Sequence, residues 1–299
     1  MKLTTSGEIT LSNFIRQTPG VHIKEYYDYC ARLISDCLSE SDKNADVVLG
    51  PKGMKGFTHL DIQPEHTLVS DGGRSVTSKI NGTIKSLKGD DNYLVRVDRF
   101  DHFKELDGVI EYSIPNLVNM RSCRDKDLVQ YSEKCKYISP LIYDYDRFNH
   151  TDRKGVFTLF SLGSSPRRDL FHKTFGIENI EGVFCPDKLA DIYYNKKIMV
   201  NIHQTDHHHT FEELRVLPAL SQGVVVVAEE SPLKEYIPYS ESIVWSRLEN
   251  MMDTIHDVED NYQEYRDKLF TDKLTATLIE LRKNNFENIR ELIWNTKVV

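Results

Sequence analysis

Apolar positions recur along this 299-residue chain in two rhythms. Short β-branched runs alternate with stretches whose apolar residues fall three and four apart, the signatures of buried strands and amphipathic helices. The densest example is 197–230, KIMVNIHQTDHHHTFEELRVLPALSQGVVVVAEE. Its runs 198–202 and 224–227 are bounded by polar or glycine residues, the pattern of strands buried on both faces of a parallel sheet. Between them Phe211, Leu214, Leu217, Pro218 and Leu220 keep helical spacing, and Gly223 stands where a helix end favours positive φ. The unit reads as a βαβ crossover. In such units ligands sit at strand carboxyl ends and helix amino ends. The polar loop 203–210 holds that place, with Glu212 and Arg215 one turn into the helix.

The same alternation continues on both sides. An amphipathic helix is expected over 21–38, and strands over 46–50, 67–70, 93–97, 108–113 and 138–143. Their spacing, with helical material between, predicts parallel βαβ topology. The polar run 144–155, DYDRFNHTDRKG, reads as an interdomain loop, dividing the chain into 1–148 and 149–299. Beyond it, strands are expected over 156–161, 180–184 and 242–245, helices from Pro166 and over 187–194, and a helical tail over 248–294. The fold class is α/β, with two such domains and a helical C-terminal region.

Composition narrows the chemistry. Net charge is −8 and no basic face is evident, which argues against a nucleic-acid partner. The five cysteines (Cys30, Cys37, Cys123, Cys135 and Cys185) have neither disulfide nor zinc rhythm, so they read as core thiols in a reducing compartment. No apolar signal core or membrane-spanning run is visible, and a soluble, cytoplasmic protein without a transmembrane segment is expected.

Two features suggest an anion site. After the strand at 156–161, Gly163, Ser164 and Ser165 lead into Pro166, Arg167 and Arg168, combining backbone N–H groups, hydroxyls and guanidinium at a helix start. Arg215 lies in a helix expected to be buried between strands, where an unpaired guanidinium would be costly. Either it pairs with Glu212, three residues earlier, or it faces a ligand phosphate; the two roles are compatible. Metal signals are weaker. His203, Asp206, His207, His208 and His209 are dense, but three adjacent histidines cannot all point one way. Asp144–Tyr145–Asp146 has the DxD form but lies in the interdomain loop.

Val200, Asn201, Ile202 and His203, a polar loop, then Glu212, Arg215, Pro218, Leu220 and Gly223 in the pattern E-x-x-R-x-x-P-x-L-x-x-G, with residues 224–227 and Glu229 following, resemble the donor domain of GT-B glycosyltransferases. VFTLFSLGSSPRR resembles the turn opening that domain, and IEGVF-x-PDKLADIYYNKKIMVN the segment where a strand end meets the base. The likeness covers about 155–245; over 1–145 it is architectural, with HLDIQPEH and DGVIEYSIPN similar to the acceptor domain of some members. The family's E-x7-E form is absent, Thr210 and Pro218 standing at its places. Among GT-B enzymes the chain is most similar to small chlorella-virus glycosyltransferases, xylosyltransferases acting on an N-glycan among them.

The resemblance implies two Rossmann-like domains facing a cleft, transfer of a sugar from a nucleotide-sugar donor, favoured as UDP-xylose, to a glycan acceptor, and no metal or other cofactor. The base would lie at 182–184, with Phe184 against it, and the diphosphate near Ser164, Arg168 and Arg215, while His203 and His209 would be polar contacts near donor sugar or phosphate. An inverting enzyme also needs a proton acceptor from the first domain. Asp71 is the first choice, because it ends a strand and precedes Gly72 and Gly73, which let a sugar approach the backbone. Arg74 and Asp98 are acceptor-side candidates, and Asp101, His102, His59 and His66 lesser ones. Two rivals remain: a sugar-nucleotide epimerase, needing a second buried carboxylate–histidine pair, and a non-catalytic nucleotide- or glycan-binding module.

Overall fold

The computed structural model describes residues 14–17, 23–70, 79–85, 92–144, 150, 152–182 and 186–294. Asp71, Gly72, Arg74 and Phe184 lie outside them. The first half contains β1 (Phe14–Arg16), α1 (Lys24–Glu40), β2 (Val47–Leu49), β3 (Thr58–Gln63), β4 (Leu68–Val69), β5 (Lys79–Lys85), β6 (Asn92–Val97) and α2 (Phe100–Lys104). It continues with β7 (Gly108–Glu111), α3 (Ile114–Ser122), α4 (Lys126–Glu133) and β8 (Cys135–Tyr137). The second half contains β9 (Lys154–Thr158), α5 (Pro166–Phe175), β10 (Glu178–Asn179), α6 (Pro186–Asn195), β11 (Lys196–Asn201), α7 (Glu213–Ser221), β12 (Val225–Glu229) and β13 (Val244–Ser246). Helices α8 (Met251–Asp260), α9 (Tyr262–Leu269) and α10 (Asp272–Trp294) follow.

Two five-stranded sheets result, ordered β1-β2-β3-β7-β8 and β10-β9-β11-β12-β13, and every pairing in both is parallel. The organising βαβ unit is present as β11, α7 and β12, with Met199 beside Val226 and Val200 beside Val227. Gly223 closes the crossover at φ +83°, the left-handed conformation expected of it.

The first half departs from expectation at three places. Residues 67–70 and 93–97 do not join the parallel sheet; β4 and β5 flank β6 in a separate antiparallel sheet. Only six residues, 86–91, separate β5 from β6, too few for a parallel crossover and enough for a hairpin. The strand expected at 138–143 lies earlier, at β8. Past Ile138 the ladder stops because Ser139 gives its N–H to Asn285 and Pro140 has none to give. In the second half, the strand expected at 180–184 is shortened to β10, and Gly182 at φ +73° turns the chain away from extended geometry.

The glycine-rich stretch after β2 makes a short return to a parallel neighbour. Gly50 adopts φ +140°, and a Cβ there would meet Gln17 Cβ at 2.6 Å. The Gln17 amide also clamps Lys52, accepting from its N–H at 2.6 Å and donating to its carbonyl.

One apolar core spans both halves, running from Tyr26, Ile34 and Leu60 through Met199 and Leu217 to Leu278 and Ile289. Helix α10 closes it over the first sheet. Asn285, fully buried on α10, accepts from Ser139 N and Oγ at 2.7 and 3.0 Å and donates to Ser139 O and Tyr29 Oη at 2.8 Å each. Asn288 donates to Tyr137 O at 2.9 Å, and Lys136 pairs with Glu291. A second seam is polar. Thr67 Oγ1 and Thr210 Oγ1 both donate to Asn116 Oδ1 at 2.8 Å, and Thr210 Oγ1 accepts from Leu68 N at 3.1 Å. Val69 pairs with His208 as an antiparallel bridge, so the histidine loop of the second half extends the small sheet of the first.

Replacing Asn285 with Ala leaves the buried Ser139 N–H without its partner, worth about 1–3 kcal/mol, while the Ser139 carbonyl keeps Leu141 N at 2.8 Å. A loss of about 1–3 kcal/mol is expected by urea denaturation, with ligand binding in the folded protein unchanged.

Candidate active site

The order of the second sheet locates the site before any side chain is considered. Strand β9 lies between β10 and β11, so successive crossovers leave it in opposite directions and their loops part beyond its carboxyl end. Open parallel sheets bind ligands at such switch points. A cleft of about 680 Å³ opens there. Leu159, Phe160, Ser161 and Ser164 follow β9, Ile180 and Gly182 follow β10, and Gln204 follows β11. The first half supplies the facing wall through Tyr27, Asp61, Glu65, His66, Arg99 and Tyr112.

Helix α5 begins at the cleft as its sequence predicts. Ser165 is the N-cap, accepting from Arg168 N at 3.3 Å, Pro166 is the first helical residue, and Gly163 enters at φ +80°. Ser164 lines the cleft and donates to Ser161 O at 2.7 Å. The two arginines that follow do not face the ligand space. Arg167 grips Glu229 through two 2.6 Å bonds and Asp206 at 2.9 Å. Arg168, 2% exposed, lies behind the wall, where it donates to Ile202 O at 2.7 Å and to Glu212 and stacks over the Phe160 ring at 4.8 Å. Its role is to brace Glu212.

Glu212 is the hub. It is the N-cap residue of α7 rather than one turn inside it, because α7 starts at Glu213, and its side chain turns to two guanidinium groups instead of the helix amides. Arg168 pairs with Oε1, Arg215 Nε lies 3.0 Å from Oε2, and His66 Nε2 lies 3.9 Å from Oε1. Burial alone would raise this carboxyl, but Arg168, Arg215 and His66 outweigh it and hold it at about 2. Burial in turn takes His66 down to about 3, so its ring is neutral and the hub holds two cations against one anion. Arg215 has the Glu212 partner foreseen for it. Its Nε is tied to Glu212, while among the described residues its terminal nitrogens have no hydrogen-bond partner and its side chain, 34% accessible, lines the cleft.

The histidine loop is a structural seam. His208 Nε2 accepts from Arg96 Nη1 at 2.7 Å, which places the ring proton on Nδ1, 3.2 Å from Thr205 Oγ1. His203 Nε2 lies 3.1 Å from Glu230 O, and His209 Nε2 lies 3.0 Å from Asp206 O. Burial lowers all three, His208 and His209 to about 4. His203 and His209 are thus engaged by protein groups outside the cleft wall. Among the described residues no cluster of His, Cys, Asp and Glu has the arrangement to hold a metal ion. Asp98 pairs with Arg96 at 2.7 Å, and exposed Asp101 with Lys104 at 2.8 Å. His59 Nε2 bonds Gly50 O at 2.7 Å.

Several cleft residues were not singled out by the sequence, among them Asp61, Arg99, Glu25 and Tyr193. Asp61, buried in β3, accepts from Tyr27 Oη and Ile62 N and from His102 Nε2 at 3.1 Å. Arg99 lines the cleft in the left-handed conformation at φ +50°, strain of the kind that gathers at functional sites. Glu25 and Tyr193 lie on α1 and α6. Only the acid in the first turn of α1 left a local signal, and a helix-capping role accounts for that equally well.

No family model matches the chain. It is similar to uncharacterized protein R358 of Acanthamoeba polyphaga mimivirus, 28% identical over 142 residues, which cover 46% of this chain and 51% of that protein. The match thus spans about half the length of the relative. Among solved structures, TarM superposes with a TM-score of 0.46 at 12% identity, over 88% of this chain and 58% of that one. No helix among the described residues is long and apolar enough to cross a membrane.

Glu212→Gln strands the buried Arg168 cation, so a loss of about 3–5 kcal/mol is expected by chemical denaturation. The acid limb of stability should change with it. Glu212 stabilises fully above its ordinary value of 4.5, and that contribution drains away as pH falls toward about 2. Denaturation midpoints measured from pH 6 to pH 2 should therefore fall less steeply in the variant.

Proposed function

We propose that this protein is a GT-B-type glycosyltransferase that moves a sugar from a nucleoside-diphosphate sugar to a glycan hydroxyl. The observation that carries the reading is Arg215, anchored by Nε and open at its fork, in a cleft where the amino ends of α5 and α7 meet. With two guanidinium groups against one carboxylate, the hub is left with one positive charge for a departing diphosphate. The Arg167 N–H and a Ser164 hydroxyl turned from Ser161 O would supply hydrogen bonds to the same group; Pro166 has no amide proton and Ser165 caps Arg168 N. Such fixed charges act at the moment the leaving group develops its own, which makes them effective in catalysis. This chemistry needs no metal, and we propose none.

The second half lines the cleft with Leu159, Ile180, Gly182, Leu189 and Tyr193. We assign this lining to the nucleobase, with UDP the favoured nucleotide and xylose the favoured sugar. The wall of the first half, with Tyr27, Asp61 and Glu65, suits an acceptor sugar rich in hydroxyl groups. Asp71, expected from the sequence as the proton acceptor, stands as a rival to a base from the described wall, with Gly72 and Arg74 assigned to the acceptor side and Phe184 to the nucleobase.

One observation favours a second reading. The cleft borders two carboxylate–histidine pairs, Glu212 with His66 and Asp61 with His102. A sugar-nucleotide epimerase could use such pairs to remove and return a proton on the donor sugar. Incubation of UDP-sugars in deuterated water separates the two. Deuterium incorporation without an acceptor belongs to epimerisation, and a mass gain on an added glycan belongs to transfer.

Calorimetric titration with UDP, GDP and ADP tests the reading itself, which predicts binding of at least one. Arg215→Ala should weaken that binding by at least tenfold, a loss of about 1.4 kcal/mol, with an unchanged melting temperature. Unfolding of the variant would instead mark Arg215 as a purely structural partner of Glu212.

A further inference from the structure

Transfer to a hydroxyl requires a group that takes its proton, and the first half brings three carboxylates to the described cleft wall: Glu25, Asp61 and Glu65. Two are already committed. Asp61 is 1% exposed, and both its oxygens accept hydrogen bonds, from Tyr27, Ile62 N and His102. Glu65 Oε2 is paired with Arg96 at 3.3 Å.

Glu25 differs. It sits in the first turn of α1, and among the described residues its buried Oε2 has no hydrogen-bond partner. A buried acceptor left unmatched costs about 1–3 kcal/mol unless something donates to it. The terminal torsion of a glutamate is soft, so this oxygen turns toward the cleft at little cost. Arg215 acts on the carboxylate through space from the opposite half, and Tyr193 of α6 feels its charge. Glu25 therefore shares the cleft with the cation assigned to the leaving group, but approaches from the other wall.

We propose that the Glu25 carboxylate is the proton acceptor for the acceptor hydroxyl, an assignment that rests on the transfer reading above. The hydroxyl oxygen bonds to the anomeric carbon, and the bond from that carbon to the diphosphate breaks. Its electron pair leaves with the diphosphate beside Arg215, and the hydroxyl proton passes to Glu25. Attack from the wall opposite the leaving group inverts the anomeric centre.

Burial raises the Glu25 carboxyl above the ordinary 4.5, while its own backbone N–H, Arg215 and Lys24 work against that rise. The group acts deprotonated, so turnover falls as pH drops through this raised value. The test follows UDP release from UDP-xylose, with p-nitrophenyl glycosides or water as acceptor, across pH. Glu25→Gln should lower kcat by about 100-fold or more and erase the acid limb, with UDP affinity and melting temperature as in the wild type. Glu25→Asp should recover part of the rate. Asp71→Asn serves as the comparison, and should keep the acid limb. Wild-type turnover and pH profile in Glu25→Gln, or loss of the limb in Asp71→Asn alone, overturns the assignment while UDP binding leaves the transfer reading standing. A wild-type protein that binds no UDP, or releases none, overturns both.

Discussion

A single buried carboxylate sets the electrostatics of this molecule. Glu212 lies where the loop after β11 becomes α7, and three separate segments converge on it: Arg168 from α5, Arg215 from α7 and His66 from the first half. Without Glu212 the Arg168 guanidinium would be a lone charge beneath the cleft floor. Without Arg168 the carboxylate would rise on burial and release Arg215. The pairing thus decides whether the cleft presents a usable cation. Buried ion pairs often add little net stability, because desolvation offsets the attraction. Here the arrangement has a further use, since it fixes the position of an arginine whose fork opens on the cleft.

The cleft also depends on the seam beside it. Thr67, Asn116 and Thr210 share hydrogen bonds across the two halves, and β4 pairs with the histidine loop. Glu213, next to the hub, accepts from Tyr137 and Tyr239 at 2.7 Å each and from Ile114 N at 3.2 Å, joining both halves in one buried contact. Burial pushes its carboxyl up to about 7. Adjacent glutamates are therefore shifted oppositely: Glu212 is held down by cations, whereas burial raises Glu213 despite the hydroxyls that donate to it. Local environment, not residue type, separates them.

This contrast explains what could be read from the sequence. Parallel strands 198–202 and 224–227 were legible because burial on both faces leaves uninterrupted apolar runs. The Ser165 cap and Pro166 were legible because helix starts are local chemistry. Strand β3 was not, since Thr58, His59, Asp61 and Gln63 interrupt its apolar rhythm, and three of those four are buried for reasons only the fold reveals. The antiparallel sheet was hidden for another reason: strand direction depends on how long the connection is, and apolar runs do not record direction. The histidine loop misled in the opposite way. Its residues suggested ligands, yet Arg96, Asp206 and Glu230 occupy their ring nitrogens.

Helix α10 carries a consequence for how the protein is made. Its Asn285 completes the hydrogen bonding of Ser139, and its apolar face covers α1 and the end of the first sheet. On the ribosome, that sheet emerges whole while its cover, residues 272–294, is still unwritten. The first half must therefore wait, with Tyr29, Ile34 and Ser139 incompletely buried, until the second half has been synthesised. Its folding is finished by α10, which is made long after the last strand of that sheet.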